Sequence, residues 1–129
     1  MGIKNLPIIV SDLIVNGKDP KTPIAIIEKG ATAEQRVTTG TLDSIVEIAK
    51  EKKIVPPAIT IIGEVVNLRD TFKWFENTQL FGKKVLVTRD KRQAREFSDK
   101  IEKIGGFAIE LPFIKIESTL DKIDREMLK

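Results

Sequence analysis

At 129 residues the chain is near the size of one ordinary domain, so it accommodates one full folding unit and part of a second more readily than two complete units. Its 41% hydrophobic and 32% charged residues are those of a globular protein, and a net charge of +3, with lysines scattered among acidic residues, argues against nucleic-acid binding. Cysteine and histidine are both absent, which excludes disulfides, thiolate or imidazole metal ligation and any nucleophile paired with histidine; no apolar run approaches the roughly 20 residues of a membrane span and no leader pattern opens the chain, so a cytoplasmic protein without a membrane partner is expected.

In chain order, Leu6, Ile9, Val10, Leu13 and Ile14 recur at helical spacing, which predicts a helix over 3–14 with Asn5 as cap, Pro7 in the first turn and Gly17 as a left-handed stop. "TPIAIIEKG" predicts a strand over 23–28 covered on both faces and ending at Gly30. "QRVTTGTL" predicts a half-exposed strand broken at Gly40, followed by a helix over 42–52 capped by Thr41, with Asp43 in its first turn and Leu42, Ile45, Val46 and Ala49 on one face. After Pro56 and Pro57, "AITIIG" predicts a third strand over 58–63, too apolar for a wet edge. Val65, Leu68, Phe72 and Phe75 then predict an amphipathic helix over 65–75. This α, β, β, α, β, α order describes an α/β layer with its own core.

A polar stretch, 76–79, leads to a second beginning. "KKVLVT" predicts a strand over 83–88. "RQAREFSDKIEKIGG" predicts a helix with Ala94, Phe97, Ile101 and Ile104 inward, and "FAIELPFIKI" one or two strands interrupted by Pro112. This is a βαβ start of the doubly wound kind, and "STLDKIDREMLK" starts a further helix. Gly105 and Gly106 follow a helix rather than open one, so they read as a helix stop and not as a dinucleotide loop. Glu28, Asp43, Glu64 and Asp70 show no paired spacing that nominates an acid and a base.

"TPIAIIEKGATAEQRVTTGTL" followed by "PPAITIIGEVVNLRDTFKWFE" resembles, in order and spacing, the C-terminal half of the uroporphyrinogen-III C-methyltransferases of the tetrapyrrole methylase family. "LFGKKVLVTRDKRQAREFSDKIEKIGGFAIELPFIKIE" resembles the opening of uroporphyrinogen-III synthases, a less specific pattern. Together these imply a methylase C-terminal domain over 1–77 with a mixed sheet flanked by helices, a linker over 78–82, and a truncated synthase domain over 83–129. The catalytic N-terminal half of the methyltransferase would lie before Met1.

The resemblance implies S-adenosylmethionine as cofactor, uroporphyrinogen III as substrate, methylation at C2 and C7 to give precorrin-2, and a homodimer. It assigns adenosine contacts to Met1, as part of a Tyr-Met-Gly turn, and to Gly30; Met1 also reads simply as an initiator, and Gly30 as a turn that needs positive φ. Ala31 stands where the family often runs directly from glycine to threonine. Pro57 and Ala58 read either as a rigid strand start or as part of an adenine wall. Arg69 reads as a structural ion pair more readily than as a propionate clamp, and Thr88 and Arg89 open a synthase-like cleft edge where substrate carboxylates bind. A self-associating, non-catalytic α/β interaction module is the alternative.

Overall fold

The computed structural model describes residues 2–114. Met1 and the helix expected in "STLDKIDREMLK" lie outside the described residues. A tight 3₁₀ turn, Ile3–Asn5, leads into α1, Leu6–Val15, with a proline in its first turn; Leu6 and Val10 are buried, whereas Ile9 points outward. Asn5 occupies the cap position without a side-chain cap bond, and Gly17 (φ +90°) ends the segment as the sequence predicts.

The first sheet has the order β2–β1–β3, with β1 Pro23–Glu28, β2 Arg36–Thr41 and β3 Ala58–Ile62, and both pairings are antiparallel. In place of the mixed sheet expected for 1–77, both described pairings of this first sheet are antiparallel. β1 is central, so successive side chains alternate between two occupied faces. Ile24 and Ile26 face α1 and α2, Ile45–Glu51, and join Leu6, Val10, Leu42, Ile45 and Ile54 in one apolar core. Ala25 and Ile27 face the other way.

Several expectations are corrected here. Among the described strands β3 is an edge strand, not a covered one, and Ile59 is 65% exposed; a continuous apolar run is compatible with either position until pairing is known. Gly40 does not break β2 but lies within it, opposite Ile24. A Cβ there would stand 3.0 Å from Ile48 Cδ1 and 3.1 Å from Ser44 Oγ, so the missing side chain is what lets α2 approach the sheet. α2 is consequently shorter than expected, with Ser44 rather than Thr41 at its cap, and Asp43 precedes it and pairs with Lys21. The segment after β3 is not one helix over 65–75 but a 3₁₀ stretch, Glu64–Leu68, joined to a short α3, Arg69–Phe72. Three residues per turn displace the apolar stripe expected for 3.6, leaving Val65, Leu68 and Phe72 exposed.

The second unit comprises β4, Lys84–Val87, α4, Lys91–Lys103, and β5, Phe107–Glu110, with the strands parallel, as a βαβ crossover requires. Asp90 caps α4 by accepting from the Arg92 N–H. Its inward stripe is Ala94, Ser98 and Ile101 against Val85, Val87 and Ala108; Phe97 and Ile104, expected inside, lie on its exposed flanks. Ser98 takes the central position with a small side chain, and Ala94 O and Glu110 Oε1, at 2.9 and 2.7 Å from its Oγ, share its single hydroxyl proton. "FAIELPFIKI" yields one described strand, which ends before Pro112.

Residues 78–82 form no free tether. Leu80 packs against the α4 core and its N–H donates to Ile104 O, so the link rests on the end of the helix. Gly105 (φ +83°) and Gly106 make this possible: a Cβ on the first would meet Thr78 Oγ1 at 1.9 Å, and on the second Ile101 Cγ2 at 2.6 Å and Leu80 Cβ at 3.1 Å. The glycine pair is a helix stop and also the seat of the link. Among the described residues no helix is long and apolar enough to cross a membrane.

Candidate functional site

Gly30 stands exposed in the turn that joins β1 to β2. The positive φ expected of it falls instead on its neighbours, Lys29 (φ +47°) and Ala31 (φ +60°), two side-chain-bearing residues in a region that L-residues seldom occupy. Six hydrogen bonds hold this turn. Lys29 N donates to Pro57 O and Gln35 N to Thr32 O; Thr32 Oγ1 donates to Lys29 O and accepts from Glu34 N, Ala31 N donates to Gln35 Oε1, and Lys29 Nζ to Glu34. None of the described hydrogen bonds uses the Gly30 N–H or C=O.

The Lys29–Pro57 bond brings three of the candidate residues together. Ala58 is paired with Glu28 in the sheet, so Pro57 and Ala58 stand at the same sheet end as Gly30. That end is fixed from beneath by Glu28, whose buried carboxylate accepts from Arg36 Nη2 at 2.7 Å and from Val55 N at 3.2 Å. Glu28 is thus a structural pin between β1, β2 and the α2–β3 loop.

Beside the turn, the sheet face opposite the main core and the segment after β3 enclose a hollow of about 230 Å³. Ala25, Ile27, Val37 and Ile61 form its floor, and Val65 and Phe72 part of its wall. Its polar end is a chain of three side chains. Arg69 Nη2 donates to Glu76 Oε2 at 2.8 Å, and Gln35 Nε2 donates to Glu76 Oε1 at 3.2 Å while its other end holds Ala31 N. Arg69 is therefore ion-paired, as the sequence reading favours. A Cβ on Gly30 would look toward Ile27 and Gln35, both of which line this hollow.

Thr88 and Arg89 belong to the second unit and are not joined to this site. They lie exposed between the carboxyl end of β4 and the start of α4, the place where open parallel sheets bind ligands. Met1 lies outside the described residues. Sequence reading missed Gln35 and Glu76; "EQRV" and "WFE" display them, but only folding reveals that 41 residues of separation close into one hydrogen bond. Among the described residues no group of three or more acidic side chains converges to hold a metal ion.

The exposed Gly30 turn, whose backbone groups take part in none of the described hydrogen bonds, thus lies beside an apolar hollow. In sequence the chain is similar to methyltransferases of uroporphyrinogen III. It is 35% identical, over all 129 residues, to uroporphyrinogen-III C-methyltransferase of Bacillus subtilis (strain 168), of which it spans 26%. Over 70 residues, 54% of this chain and 28% of the relative, it is 50% identical to the S-adenosyl-L-methionine-dependent uroporphyrinogen III methyltransferase of Methanosarcina barkeri. The crystal structure of uroporphyrin-III C-methyl transferase from Thermus thermophilus complexed with S-adenyl homocysteine aligns with a TM-score of 0.47 and 31% identity, over 53% of this chain and 29% of that one. The chain spans less than a third of each of these proteins. No protein-family model matches it.

Proposed function

We propose that the chain belongs to the tetrapyrrole methylase family and is the cofactor-side part of a S-adenosylmethionine-dependent uroporphyrinogen-III C-methyltransferase, continued from residue 83 by the opening of a uroporphyrinogen-III synthase unit. The observation that carries the methyltransferase reading is the 35% identity to the Bacillus subtilis methyltransferase over 129 residues, and the synthase opening rests on the resemblance of "LFGKKVLVTRD" and the segment after it. In this reading a companion methyltransferase half, carrying the glycine-rich catalytic loop, closes over the Gly30 turn, and the working enzyme is a cytoplasmic homodimer. The alternative of a non-catalytic interaction module is not favoured, because the relatives carry methyltransferase names.

The residues present fit the cofactor. The free Gly30 backbone groups offer a donor and an acceptor to a nucleoside, the missing side chain permits close approach, and Pro57 and Ala58 supply an apolar neighbour at the same sheet end. Two molecules of S-adenosylmethionine, bound in turn, would each supply one methyl group activated on a sulfonium to an electron-rich pyrrole carbon of uroporphyrinogen III, C2 and then C7, each leaving as S-adenosylhomocysteine, to give precorrin-2. The protein's part is alignment and exclusion of water, which a chain without cysteine or histidine can provide. Thr88 and Arg89 serve the second unit, where a guanidinium and a hydroxyl suit the carboxylates of the macrocycle.

Titration of the isotope-labelled chain with S-adenosylhomocysteine tests the assignment by NMR. Amide shifts centred on Gly30, Ala31 and Ala58 are expected. Methyl transfer from labelled S-adenosylmethionine to uroporphyrinogen III is expected to be absent for these 129 residues alone. Shifts confined to other parts of the sheet, or turnover at an ordinary enzyme rate by the chain alone, would overturn the reading.

A further inference from the structure

We propose that Gln35 is a positioning residue that holds the Gly30–Ala31 peptide in its ligand-ready orientation, and that Arg69 acts on this peptide through Glu76. The inference rests on the reading of Gly30 as a cofactor contact and adds to it the device that sets its geometry. The turn is of a kind that needs such a device: Lys29 and Ala31 both hold positive φ without being glycine, a conformation that persists only where surrounding contacts over-determine it.

The orientation of the Gln35 amide follows from its partners. A carboxylate only accepts, so the Gln35 NH₂ group faces Glu76, and the Gln35 carbonyl oxygen is left for the Ala31 N–H at 2.8 Å. Arg69 completes the order by donating to the second Glu76 oxygen. With Arg69 removed, Glu76 loses the charge that fixes its rotamer, and Gln35 loses the acceptor that fixes its amide. Across a trans peptide the N–H and the preceding C=O point in opposite directions, so capture of the Ala31 N–H turns the Gly30 carbonyl away from Gln35. Gln35 thereby presents that carbonyl as an acceptor for a ligand's N–H or O–H.

Amide hydrogen exchange of the ligand-free full chain tests this. Gln35→Met is expected to speed exchange at Ala31 about tenfold, and Arg69→Met, which does not touch Ala31, by a similar factor. The double variant should be no faster than either single one, since both remove the same bond chain. Glu76→Gln, a gentler change that keeps the shape, should give an intermediate rate, and Arg69→Lys should restore part of the protection. Exchange at Ile24 and Ile26 in β1 reports whether the sheet is intact; Glu76→Gln decides the matter where Arg69→Met disturbs it. Unchanged Ala31 exchange in Arg69→Met or in Glu76→Gln, or additive effects in the double variant, overturns the proposal. Titration with S-adenosylhomocysteine separates the two claims. A wild-type chain whose Gly30 ignores that probe refutes the cofactor assignment, while the exchange data still decide whether Gln35 and Arg69 govern the peptide.

Discussion

Arg36 Nη2 donates to Glu28 Oε1 at 2.7 Å, and the two side chains are exposed to very different degrees, 58% for the arginine and 4% for the glutamate. The carboxylate has left water while its partner remains half in it. Because a buried charge stripped of its partner is costly, Arg36→Ala is expected to destabilise the first unit by about 3 kcal/mol. Glu28→Gln, which keeps an acceptor for Val55 N without a buried charge, should cost about 1 kcal/mol. Urea denaturation followed by circular dichroism at neutral pH measures both, and an Arg36→Ala effect no larger than that of Glu28→Gln would contradict this account.

Glycines at the junction are predicted to differ sharply. Gly105→Ala drives a methyl group into Thr78 from a backbone already at φ +83°, and should cost about 3 kcal/mol, read as early melting of β4, α4 and β5. Gly82 also has positive φ, +76°, but nothing stands within 4 Å of the added carbon. Gly82→Ala is therefore expected to cost only the conformational term, about 1 kcal/mol. Equal losses would remove the packing argument.

The flanks of α4 give a third test. Phe97 is 45% exposed and Ala94 fully enclosed. Phe97→Ala should change the melting free energy by less than about 1 kcal/mol, whereas Ala94→Leu should lose about 2 kcal/mol through overpacking. Thermal unfolding distinguishes this from the helix orientation expected on periodicity alone, for which Phe97→Ala would be the damaging change.

A pH dependence follows from Glu34. Hydrogen bonds from Lys29 and then Lys84 hold its carboxyl down at about 2, well below the ordinary glutamate value of about 4.3. Since the folded pKa is the lower one, this group's contribution is complete above the unfolded pKa and fades as pH falls toward 2. NMR titration of the Glu34 carboxyl carbon should show that low midpoint in wild type, a higher one in Lys84→Ala, and an ordinary one when Lys29 is replaced as well. A wild-type midpoint in the ordinary range would show that these exposed pairs do not persist in water.

Much of the architecture was legible in the residues. The β1 bounds follow from a short apolar run between Pro23 and Gly30, and the β4–α4–β5 order from alternating strand and helix patterns. Gly17 and Gly105 mark helix ends because no other residue adopts positive φ so readily. What was illegible depended on partners distant in the chain. "AITII" does not reveal whether one neighbour or two will pair with it, and among the described residues β3 pairs with β1 alone. Nor does Gly40 announce that its lack of a side chain admits a helix rather than ends a strand. At the candidate site, Gly30 stood out by type, but the Arg69–Glu76–Gln35 chain is assembled from three segments and has no local signature.

Because Leu80 is seated in the α4 core and Thr78 rests on Gly105, the boundary useful to an engineer lies upstream of the apparent linker. A transplant of the second unit that begins at Lys83 would leave its helix end uncapped by its own cover. One that begins at Asn77 carries that cover along, and a protease offered the intact chain should find 78–82 a poor place to cut.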